Sequence, residues 1–120
     1  MNFDVEVVLK GRDYAVTESV AVSHGEPRTW DERAVRDVLV AILQAIGRVE
    51  QPGVDERLVS LRGFSWIVEP AEDNKVVIAI EIPMGAAIAG PFSVGQSQLD
   101  ALITKVLRNE RQPGPTQTVH

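Results

Sequence analysis

His24, Glu26 and Asp31 are the residues of this chain with the plainest capacity for chemistry, and they sit in and just after the link Ser23-His24-Gly25-Glu26-Pro27-Arg28. A histidine titrates near neutral pH and a carboxylate can orient it, which together make half of an acid–base site. The same stretch leads into a helix start, where turns and caps recruit polar residues for backbone reasons alone. The second histidine, His120, lies in the tail and no complete catalytic constellation surrounds His24 in the sequence, so no catalytic residue is assigned. A metal site is not expected either. There is no H-E-x-x-H, Glu72-Asp73-Asn74 is too short for a calcium loop, and the chain holds no cysteine.

Other residues point to binding. Glu18 and Glu81 interrupt or flank apolar strand patterns, and a buried carboxylate is costly unless a cation is near; Arg62 is the natural partner. The competing reading leaves Glu81 on a solvated face and Glu18 on an edge strand, where an inward charge discourages aggregation. Phe64 and Trp66 share one strand face, where they anchor the core or line a pocket between sheet and helices. Gly85 and Gly90 have the spacing of a phosphate loop, but Pro91-Phe92 stands where that motif needs Lys and Ser/Thr. What survives is a small-residue loop, 84–93, running into a helix N-terminus at Ser93, where backbone N–H groups could meet a carboxylate or phosphate. The candidate ligand-binding set is therefore Glu18, Phe64, Trp66, Glu81 and Ser93, with no cofactor.

The elements that must hold these residues are legible in the hydropathy pattern. Phe3, Val5, Val7 and Leu9 alternate with polar residues, Gly11-Arg12-Asp13 supplies a turn, and Tyr14 to Val22 alternates again, with Glu18 a misfit among Tyr14, Val16, Val20 and Val22. Thr29-Trp30-Asp31-Glu32 has capping-box form and opens a helix with Val35, Val38, Leu39, Ile42, Ile46 and Val49 on one face, ending near Gln51-Pro52-Gly53. Arg57 to Glu69 is strand-like with a phase slip that a bulge at Arg62-Gly63 would absorb. After the polar turn Glu72 to Lys75, Val76 to Ile82 is the most apolar strand, expected to be central, and Pro83 stops it. Ser93-Val94-Gly95-Gln96 is a second capping box, opening a helix to about Asn109 with a stripe of Leu99, Leu102, Ile103 and Val106.

The order strand, strand, helix, twice over, predicts an α+β two-layer sandwich: a four-stranded sheet, mixed or antiparallel, with both helices on one face. At 120 residues the chain suits one domain over 1–111, with a flexible tail over 112–120. Twelve basic against 17 acidic residues give a net charge of −5, which disfavours nucleic acid and anionic membrane as partners. The apolar runs are too short to span a bilayer and no targeting segment is visible, so a cytoplasmic location is expected.

The uncovered sheet face, with Val77, Ala79, Ala15, Thr17, Ser19 and Ala21, and a Trp30 expected to be partly exposed, favour a binding or interaction module. It is expected to be homodimeric and to hold a small apolar or amphipathic ligand or a protein partner. The alternative is a small metal-independent enzyme using Glu18, Glu81 or His24 near the 84–93 loop.

Overall fold

Alternation in the first residues produces β1 (Asn2–Leu9), in which every second side chain, from Phe3 to Leu9, is buried. Gly11, at φ 85°, turns the chain into β2 (Ala15–Ala21), which pairs antiparallel with β1. The computed structural model describes residues 1–52, 60, 61 and 63–111. It continues with α1 (Glu32–Glu50), β3 (Ser65–Pro70), β4 (Val76–Ile82), β5 (Gly85–Phe92) and α2 (Gln96–Arg111). The expected bulge at Arg62 and the expected tail lie outside the described residues.

The sheet has five strands rather than four, in the order β2-β1-β5-β4-β3, and every neighbouring pair is antiparallel. It is therefore not mixed, and the order is ββαβββα. The added strand is β5, formed from the segment expected to be a loop. Its glycines and alanines have poor intrinsic strand preference. Position decides instead: after a two-residue turn at Pro83-Met84, β5 inserts between β1 and β4 at the centre of the sheet. Ala87 and Ala89 are buried there, so small side chains bring the helix layer close to the middle of the sheet. β4 is an interior strand, as its apolar run implies.

Both helices cover the same sheet face, α1 packing on β1 and β2, α2 on β3, and each against the other. α1 begins two residues later than its capping box implied. Pro27–Thr29 form a single 3-10 turn in which the Thr29 hydroxyl donates to the Glu26 carbonyl, while Asp31 takes the cap and accepts from the Ala34 N–H at 2.8 Å. Asp31→Ala is expected to cost about 0.5–2 kcal/mol, read by urea unfolding; no loss would mean that packing alone sets this helix start. The Ser93 box also dissolves. α2 starts at Gln96, whose side chain donates to the Val68 carbonyl on β3 rather than reaching back.

The core is one cluster between the layers, with Leu39, Ile42, Ile78, Ile80, Leu99 and Phe92 among its fully buried side chains. Leu102 is only half-buried. Trp30 is buried, contrary to expectation: its ring meets Phe92 edge-on at 5.4 Å and its indole N–H donates to the Gly25 carbonyl. Phe3 also meets Phe92 edge-on, at 5.1 Å, so one aromatic group ties β1, β5 and the entry to α1 together.

Candidate functional site

The residues proposed from the sequence do not converge. Glu18 lies on the helix-covered side of the edge strand β2, where Arg48 of α1 donates to it at 2.9 Å. Its expected partner, Arg62, lies outside the described residues. Glu81 is exposed on the opposite side of the sheet, in register with Ser65 and Ala86. Phe64 and Trp66 do meet, edge to face at 6.3 Å, and both are half-buried; the Trp66 indole donates to the Leu61 carbonyl. Ser93 is exposed past the end of β5. His24 bonds Asp37 of α1 at 2.9 Å, a link that ties the β2–α1 connection to the helix. Two open grooves on the molecule are lined by Leu9, Lys10, Arg12, Glu50 and Met84, and by Trp30, Leu102, Lys105 and Arg108. Neither contains His24, Glu18, Glu81, Phe64, Trp66 or Ser93. Among the described residues no three His, Asp or Glu side chains gather as a metal site would require. No helix among them is long and apolar enough to cross a membrane.

What the fold does assemble is the sheet face away from the helices. Its rows follow from the register. One row runs Thr17, Glu6, Ile88, Ala79, Ile67 across β2, β1, β5, β4 and β3. The row beside it is Ala15, Val8, Ala86, Glu81, Ser65, and on the other side stand Ser19 with Asp4, and Val77 with Glu69. Val8, Ile67 and Ile88 are 44%, 43% and 45% exposed, three of the five large hydrophobic side chains that stand in solvent among the described residues. With Ala86, Ala79 and Val77 they form an apolar patch over β1, β5, β4 and β3. Strands lie about 4.8 Å apart, so the patch from Ile88 to Ile67 is roughly 10 Å across.

Four carboxylates border it: Asp4 and Glu6 on β1, Glu81 on β4 and Glu69 on β3. Among the described strand residues that point this way there is no lysine or arginine; Lys10 and Lys75 flank the strands in the adjoining turns. The helix layer is different, with Arg33, Arg36, Arg48, Lys105 and Arg108 interspersed among acids, and with Arg36–Glu110 and Arg48–Glu18 ion pairs. Part of this face was visible beforehand: Val77, Ala79, Ala15, Thr17, Ser19 and Ala21 all lie on it. Asp4, Glu6 and Val8 follow from the same alternation that buries Phe3, Val5 and Val7. Ile88 carried no such signal, because its segment reads as a loop.

The chain matches no protein-family model, no curated protein and no solved structure.

Proposed function

We propose that the protein is a non-catalytic interaction module whose working surface is the open face of its five-stranded sheet. The observation that carries this reading is the row Ile88, Ala79, Ile67, in which two exposed isoleucines flank a half-buried alanine across three neighbouring strands. An antiparallel sheet can leave one face wet, but the wet face then ordinarily carries polar residues, whereas β5 presents Ala86 and Ile88 there and β4 presents Val77 and Ala79 before Glu81. The acid–base alternative has no comparable support, since Glu18 and Glu81 stand on opposite sides of the sheet and His24 is engaged with Asp37.

Self-association as a two-fold dimer belongs to this reading, with a condition set by charge. A face-to-face dimer brings the four carboxylates of each copy together, and like charges at short range oppose it unless salt screens them. Light scattering at micromolar concentration is expected to give a mass near 13.1 kDa at low ionic strength. The mass should rise toward the dimer as the Debye length falls from about 30 Å to about 3 Å. Ile88→Lys should prevent that rise. A mass that neither salt nor Ile88→Lys alters would remove the case for self-association through this face.

A further inference from the structure

Resting on that reading, we infer that the open face docks a basic amphipathic helix supplied by a protein partner. The patch is apolar in its middle and acidic at its margins, with Asp4 and Glu6 on the β1 side and Glu81 and Glu69 toward its two ends. A partner must therefore offer an apolar stripe flanked by cations. An α-helix with its side chains is about 10–12 Å wide, which matches the roughly 10 Å from Ile88 to Ile67. Cations beside an apolar stripe at i, i+3, i+4 spacing would fall over the bordering carboxylates.

A second copy of this chain is the poorer occupant. Among the described residues the sizeable exposed aliphatic surface it could offer is this same acidic face, and its helices turn their apolar stripes inward, burying Val38, Leu39, Ile42, Leu99 and Ile103. Nucleic acid and anionic lipid bring the wrong sign of charge to Asp4, Glu6, Glu69 and Glu81. Opposite charge also speeds encounter, so binding should be fast and salt-sensitive.

The test uses the full chain, isotopically labelled, and two synthetic peptides of roughly 18 residues, about five helical turns, one built of leucine and lysine and its twin of leucine and glutamate. The lysine peptide is expected to shift the backbone amides of β1, β5, β4 and β3 around Glu6, Ile88, Ala79 and Ile67, and a scrambled lysine peptide should do so far less. Glu6→Lys with Glu81→Lys should weaken binding by about tenfold or more, and Ile88→Ser by a similar factor, with every variant retaining the far-UV spectrum of the parent. Equal binding of the glutamate twin at this face would overturn the charge inference while leaving the face as a contact surface. Shifts confined to other surfaces, or none with either peptide, would overturn both. Retention on anionic vesicles or DNA that Glu6→Lys does not alter would also overturn it.

Discussion

Phe92→Ala is expected to lower the unfolding free energy by about 3–5 kcal/mol, a large part of what a domain of this size possesses. The side chain is 0% exposed and meets both Phe3 and Trp30 edge-on, at 5.1 and 5.4 Å. Truncation therefore removes a buried ring, leaves a cavity and cancels two aromatic contacts worth about 0.5–1.5 kcal/mol each. The surroundings are poorly placed to collapse, because Phe3 is on β1 and Trp30 is held by its bond to the Gly25 carbonyl. Urea denaturation at fixed temperature measures the loss. Trp30 emission should shift toward that of exposed indole before the global transition, since the ring loses one wall of its site. A loss under about 1 kcal/mol would mean that the aromatic group is peripheral to stability.

Gly85→Ala is the second large effect, and it acts through the backbone. Gly85 opens β5 opposite Leu9, at φ 154°, where a Cβ would stand 2.0 Å from the Val8 carbonyl oxygen. No rotamer relieves a clash between a Cβ and a backbone oxygen, so either β1 and β5 separate at this end or the turn at Pro83-Met84 rearranges. The bond from the Lys10 N–H to the Met84 carbonyl, 2.7 Å, would be strained by either response. A destabilisation of roughly 2–4 kcal/mol is expected, with amide exchange accelerated along β1 and β5 more than along β3. Unaltered exchange at the β1–β5 ladder, together with a loss below about 0.5 kcal/mol, would show that the approach is looser than the geometry indicates. Alanine at Gly11 or Gly63 meets no neighbouring atom and tests the conformational part alone, as both also have positive φ.

The sequence by itself determined most of the local structure. Period-two runs mark β1 and β2, a continuous apolar run marks β4, and helical stripes mark α1 and α2, because burial of one face imposes its own spacing whatever the fold. The alternation also determined that Asp4, Glu6 and Val8 oppose Phe3, Val5 and Val7, and that Glu81 opposes Ile80 and Ile82. Only the tertiary structure decided the rest. Gly85 to Phe92 has the composition of a loop and becomes the central strand, since its small residues suit close packing beneath the helices and against β1. Trp30 has polar sequence neighbours and is buried because Phe92, distant in sequence, reaches it. The first helix takes Asp31 as its cap and the second starts at Gln96, because a capping box is a local preference of about 1 kcal/mol, readily outweighed by packing. The candidate surface itself is a product of register. Ile88, Ala79 and Ile67 come from three strands, and no local pattern records which residues of separate strands stand side by side.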